Sequence, residues 1–175
     1  LMTVSKVSSS EVGGQSTSKS INKQLSCTGF NAKLYPYQEK GVSWLYNISE
    51  EGLGCILADE MGLGKTVQLI SLLTIFERKW KLPSLVIAPA TILENWLREC
   101  QKFSNKLSVV IHSGAYRTGF PSNLKKFNIV VCSYETVVRD MGLFAMIEWG
   151  IVVLDEAQAI KNPETKRAKS IKTIN

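Results

Sequence analysis

The sequence predicts an α/β fold: a mostly parallel sheet with helices on both faces. Short apolar runs recur along the chain with helical patterns between them, an alternation that folds as parallel strands joined by crossover helices. One such run opens into the glycine turn DEMGLGKT at residues 59–66. About ninety residues later the last run, Ile151 to Leu154, ends in the paired acids Asp155 and Glu156.

Each element has its own signal. Residues 1–28 are rich in Ser, Thr, Lys and Gly and poor in large apolar groups, so they read as a flexible arm or linker. A start at Leu1 fits a segment cut from something longer. The remainder, 29–175, reads as one domain. Pro36 suits the first turn of a helix over 37–48, where Tyr37, Gly41, Trp44, Leu45 and Ile48 share one face. Strand signals follow at 54–58, 84–88, 107–111, 128–132 and 151–154. Residues 65–78 are apolar nearly all round, as in a helix buried behind a sheet. Thr91 with Glu94 makes a capping-box pattern, opening a helix on which Ile92, Trp96, Cys100 and Phe103 share a face. Near the end Lys161, Lys166, Arg167, Lys169 and Lys172 crowd together, opposed by Glu164. They either follow a phosphate backbone or form the polar face of a helix whose Ala168, Ile171 and Ile174 turn inward; the second is expected.

The glycine turn carries chemistry. A phosphate loop uses glycines to expose backbone N–H groups, a lysine to reach the outer phosphates and a hydroxyl to ligate magnesium. Gly62, Gly64, Lys65 and Thr66 fall at those positions, with Asp59, Glu60, Met61 and Leu63 completing the loop. Asp59 stands where the general pattern has glycine. Context supports the assignment, since a strand leads in and a helix leaves with its N-terminus toward the phosphates. At the second site Asp155 would hold Mg²⁺, through water, and Glu156 would orient or deprotonate an attacking water. Ligands of open α/β sheets bind off the carboxyl ends of strands, so both loops should meet on one edge. The competing readings are a glycine turn with a solvated lysine, and acids favoured by a helix N-terminus.

Composition sets the outer limits. The 175 residues, 45% hydrophobic and 21% charged, suffice for one sizeable core. No stretch approaches the roughly eighteen apolar residues of a membrane span, and no signal segment opens the chain, so an intracellular protein is expected. Cys27, Cys55, Cys100 and Cys132 are scattered and His112 is the sole histidine, which excludes zinc-type spacing. Cys55 and Cys132 read as buried reduced thiols. A net charge of +6 leans toward polyanions.

Five segments in order, LYPYQEKGVSWL (34–45), ILADEMGLGKTVQ (56–68), LVIAPATILENW (85–96), CSYET (132–136) and VVLDEAQAIKN (152–162), carry a family resemblance. Over roughly residues 33–162 the chain resembles the SWI/SNF-like, double-stranded DNA-dependent ATPases of helicase superfamily two. The resemblance implies a RecA-like P-loop NTPase lobe using ATP and Mg²⁺, with Lys65, Asp155 and Glu156 catalytic and Thr66 and Asp155 at the metal. It makes Gln38 the reader of the adenine edge and turns Asp59 into a family feature. Gln158, where many relatives have His, would couple nucleotide to the partner lobe. Thr91, Asn95 and Ser133, with Tyr134, would line the DNA-tracking side, although Thr91 also serves as a cap and Tyr134 suits the core. His112, Gly114 and Arg117 match a family loop that a polar glycine turn explains equally well. Tyr35 departs from the arginine common beside that glutamine. The chain stops before the Ser/Thr-Gly-Thr-Pro motif and the second lobe, which in the family supplies the arginine finger, so this piece alone should be nearly inactive.

The implied function is an ATP-driven translocase on double-stranded DNA, of which this is the first motor lobe. Its partners would be the second motor lobe of the same parent chain and nucleosomes or other DNA-bound proteins, with no membrane. The setting would be the nucleus of a eukaryote or the cytoplasm and nucleoid of a bacterium. The alternatives are a superfamily-two helicase unwinding DNA or RNA, and a non-catalytic nucleic-acid-binding scaffold.

Overall fold

The computed structural model describes residues 2–6, 18–58, 62–115 and 117–174. In chain order its elements are strand β1 (Met2–Lys6), helices α1 (Ser18–Ser26) and α2 (Pro36–Glu50), strand β2 (Cys55–Leu57), helix α3 (Lys65–Trp80) and strand β3 (Ser84–Ala88). Helix α4 (Leu93–Phe103), strand β4 (Val109–His112), helix α5 (Pro121–Leu124), strand β5 (Ile129–Ser133), helices α6 (Tyr134–Arg139) and α7 (Met141–Ala145), strand β6 (Ile151–Leu154) and helix α8 (Lys166–Ile171) follow.

These strands form one sheet in the order β2-β1-β6-β3-β5-β4. β6, β3, β5 and β4 run parallel, with Val86 of β3 beside both Val131 and Val153. Every residue of β3, β5 and β6 is buried, which is why they read as unbroken apolar runs and not as alternating ones. Alternate side chains feed two cores. Val86, Val131 and Val153 join Val42, Leu45, Leu69, Leu73 and Trp96 from α2, α3 and α4. Leu85, Ile87, Val130 and Val152 join Val137, Phe144 and Trp149 on the other side. The expected mostly parallel sheet with helices on both faces is the observed one. Helix α3 is buried continuously from Gln68 to Phe76, as its all-round apolar pattern requires. Ala168 is buried in α8 and Ile171 and Ile174 pack on the second core, leaving the lysines outside.

The flexible arm expected over residues 1–28 is corrected in two stretches. β1 lies antiparallel between β2 and β6, Val4 pairing with Cys55 and Val153. α1 sends Ile21 and Leu25 into the first core. Composition averaged away what periodicity keeps: Met2 and Val4 share one strand face and Ile21 and Leu25 one helix face. Residues 7–17 lie outside the described residues.

The capping box expected at Thr91 and Glu94 is corrected as well. Residues Ala90–Ile92 form a 3₁₀ turn closed by the Ile92 N–H on the Pro89 carbonyl at 3.0 Å, and α4 begins only at Leu93 with no side-chain cap. Pro89 starts the turn early, which leaves Thr91 inside it and exposed.

Ile87 is fully buried in β3, whereas Ile56 in β2 is 55% exposed. Ile87→Ala should cost about 2–5 kcal/mol, read as a lower urea midpoint at unchanged slope. Ile56→Ala should stay within about 0.5 kcal/mol of the parent chain.

Candidate functional site

The glycine turn is built around two left-handed residues, Gly62 with φ +88° and Gly64 with φ +73°. A Cβ at Gly64 would lie 2.5 Å from Gln38 Nε2, so both conformation and space demand glycine there. Lys65 then opens α3, and no side chain caps that helix. Its first-turn N–H groups and dipole therefore address an incoming anion. Asp59, Glu60 and Met61, expected to line the nucleotide, lie outside the described residues. Buried Gln38 fastens α2 to the turn: its Oε1 accepts the Tyr35 N–H at 2.9 Å and its Nε2 donates to the Leu63 carbonyl at 3.3 Å. The carboxamide retains one N–H and one lone pair after these bonds. The Tyr37 hydroxyl donates to the same Leu63 carbonyl at 3.3 Å.

Across the sheet edge, Asp155 is 6% exposed and held from four sides. Its N–H donates to the Ile87 carbonyl at 2.8 Å, continuing the ladder past β6. Its Oδ1 accepts the Glu156 N–H at 2.9 Å, and its Oδ2 accepts the Trp96 indole N–H at 2.8 Å. Its carbonyl accepts the Tyr134 hydroxyl at 2.7 Å. Burial pushes the carboxyl above the usual carboxylate range, against the opposing pull of the Trp96 and Glu156 hydrogen bonds. Glu156 sits at φ +52°, a left-handed conformation that strains a residue with a Cβ. The Gln158 amide donates to the Glu156 carboxylate.

Gly62, Gly64, Lys65, Thr66, Asn95, Asp155 and Glu156 line one cleft of about 510 Å³. An uncapped helix N-terminus, two left-handed glycines and an acid pair in one cleft fit a magnesium-bound triphosphate. The Thr66 hydroxyl and Asp155 carboxylate are the hard oxygen donors magnesium takes.

The residues expected on the nucleic-acid side fall in different environments. Thr91 is exposed, Asn95 is exposed on the cleft wall, and Ser133 is buried. The Ser133 hydroxyl accepts the Thr136 N–H at 3.1 Å and caps α6. Sequence reasoning placed Trp96 only on a core face and missed its bond to Asp155. A buried indole N–H requires an acceptor, and that requirement was the available signal.

His112, Gly114 and Arg117 build a separate network away from the cleft. Asp140 Oδ2 lies 3.0 Å from His112 Nε2 and accepts from Arg117 Nε at 2.5 Å, while Oδ1 accepts from the other end of the guanidinium at 3.0 Å. Arg117 also donates to the Gly114 carbonyl at 2.7 Å, fixing the loop.

A model of the SNF2-related domain matches residues 37–175. The chain belongs to the SNF2-related domain family. YwqA of Bacillus subtilis, by name an ATP-dependent helicase/translocase, is 40% identical over 150 residues, covering 83% of this chain and 16% of YwqA. The chromatin-remodeling ATPase INO80 of Homo sapiens is 42% identical over 157 residues, covering 81% of this chain and 10% of INO80. The Sulfolobus solfataricus SWI2/SNF2 ATPase core in complex with dsDNA matches with a TM-score of 0.77 at 38% identity, over 84% of this chain and 31% of that core. The chain thus spans less than a fifth of the length of these two relatives.

Arg117 above all, and then the His112 hydrogen bond, hold the Asp140 carboxyl below its ordinary value of 3.8, against burial. A lowered folded pKa stabilises the fold fully above 3.8, and that contribution disappears as pH falls through the folded value. Asp140→Asn should therefore lower the urea midpoint at neutral pH, with the gap to the parent chain closing below 3.8. A gap independent of pH would contradict the ion pairing.

Proposed function

We propose that this chain is the ATP-binding lobe of an ATP-driven translocase on double-stranded DNA. The observation that carries the reading is the meeting of the glycine loop and the acid pair in one cleft at the carboxyl edge of the sheet. Similarity to a SWI2/SNF2 core solved with dsDNA supports duplex DNA as the track.

Bound magnesium-ATP supplies the phosphoanhydride to be cleaved and neutralises part of its charge. Gly62, Gly64 and the α3 N-terminus cradle the phosphates, together with the loop residues Asp59, Glu60, Met61 and Leu63. Lys65 would reach the outer phosphates, and Thr66 and Asp155, which line the same cleft, would hold Mg²⁺, which would offset the phosphate charge. Glu156 takes a proton from the attacking water, and the strained backbone beneath it aims the carboxylate. Gln38 offers its remaining N–H and lone pair to the adenine edge. Gln158, already bonded to Glu156, passes the state of the site to a second lobe of the parent protein. Thr91, Asn95 and Ser133 mark the segments facing the DNA backbone, which fix position without reading bases. INO80 is named a chromatin-remodeling ATPase, which makes nucleosomes and other DNA-bound proteins the proposed cargo, in a nucleus or a nucleoid. No described helix is long and apolar enough to cross a membrane.

Steady-state ATP hydrolysis by the complete protein tests this reading. Duplex DNA should stimulate turnover, and Lys65→Ala should abolish it. Glu156→Gln should keep nucleotide binding and lower kcat by about 10² to 10⁴. Stimulation by single strands or RNA alone would make the protein a helicase, and no turnover with any of them would make it a scaffold.

A further inference from the structure

We infer that Trp96 and Tyr134 are positioning residues that tie Asp155 to the two segments facing DNA. The inference rests on the translocase reading above and adds the physical link between its two sites.

Trp96 follows Asn95 on α4, whose entry turn carries Thr91. Tyr134 follows Ser133 at the start of α6. These two segments leave different strands, yet each ends a side chain on the same residue. Trp96 bonds the Asp155 carboxylate at 2.8 Å and Tyr134 its carbonyl at 2.7 Å. Trp96 is 1% and Tyr134 2% exposed, so water does not compete for either bond. An indole N–H is donor-only, and its bond to an ionised carboxylate is charge-assisted and directional.

Packing alone does not require this arrangement. Trp149, equally buried, satisfies its indole on the Phe144 carbonyl at 3.0 Å, a neighbour in its own core. Trp96 instead reaches an acid of the nucleotide cleft, across 59 residues of sequence. Leu93, Trp96 and Cys100 seat α4 in the first core and its entry turn is closed on Pro89, so a displacement of the segment bearing Thr91 and Asn95 carries the Trp96 indole with it. A shift of α4 or α6 on the DNA backbone therefore moves the carboxylate, and a change at the carboxylate moves both segments. Linkage makes the effect reciprocal: whatever factor DNA applies to nucleotide affinity, nucleotide applies to DNA affinity.

Tyr134→Phe keeps the ring and removes only the donor, whereas Trp96→Phe removes the indole donor and also trims a buried ring, a packing loss that thermal melting reads separately. The test measures duplex DNA affinity of the complete protein by fluorescence anisotropy, with and without magnesium-ADP. It also measures binding of a fluorescent ADP at varied magnesium. The unsubstituted protein should show an affinity ratio of about fivefold or more between the two DNA measurements. Each variant should bind DNA and nucleotide singly while that ratio falls toward one, and Trp96→Phe should also need more magnesium for half-saturation. Variants that keep the full ratio overturn the inference, as does a ratio of one in the unsubstituted protein, which leaves the translocase reading standing. Failure of the unsubstituted protein to bind duplex DNA or nucleotide overturns both. Thermal melting identifies a variant that has lost its fold, in which case the other variant decides.

Discussion

Parallel pairing of β6, β3 and β5 is the constraint on which the rest depends. Because Val86 lies in register with both Val131 and Val153, the three strands end at one edge, and whatever follows them is delivered there. Asp155 continues the β6 ladder onto Ile87, Ser133 ends β5, and the turn after β3 leads into α4. The covalent order of the chain scatters these residues, and the sheet gathers them. Fully buried strands hold that register by fit, since a one-residue slip would send Leu85 and Ile87 into the core packed for Val86 and Val86 into theirs.

Asp155 shows how the edge is arranged for chemistry at some cost to stability. Its carboxyl is raised by burial, so the ionised form destabilises the fold at neutral pH, and acid would relieve that cost. Glu156 adds a left-handed backbone. Both unfavourable features fall on adjacent residues of the cleft, whereas the Arg117–Asp140–His112 network, away from it, works in the opposite direction with a lowered carboxyl. Stability built at one place offsets strain retained at another.

Much of this was legible in the sequence. The runs at 84–88 and 151–154 match strands β3 and β6 to the residue, because buried parallel strands have a pattern no solvated element shares. The glycine turn and acid pair were legible through spacing and residue chemistry, and their meeting followed from strand polarity. The ordering of β1 and α1 was not, since a few apolar side chains at the right period vanish in a polar average. The 3₁₀ turn at Ala90–Ile92 displaced the expected cap because Pro89 fixed the chain direction first. The Trp96 and Tyr134 bonds to Asp155 are tertiary contacts, and no local pattern announces which acceptor a buried donor will find.

The central claim is that the glycine loop and Asp155 act as one magnesium-dependent nucleotide site. Calorimetric titration of ADP into the complete protein, in magnesium and in chelator, beside Asp155→Ala, tests it directly. The account predicts binding that requires magnesium and weakens by about tenfold or more in the variant. Binding of equal strength in all three conditions would contradict it.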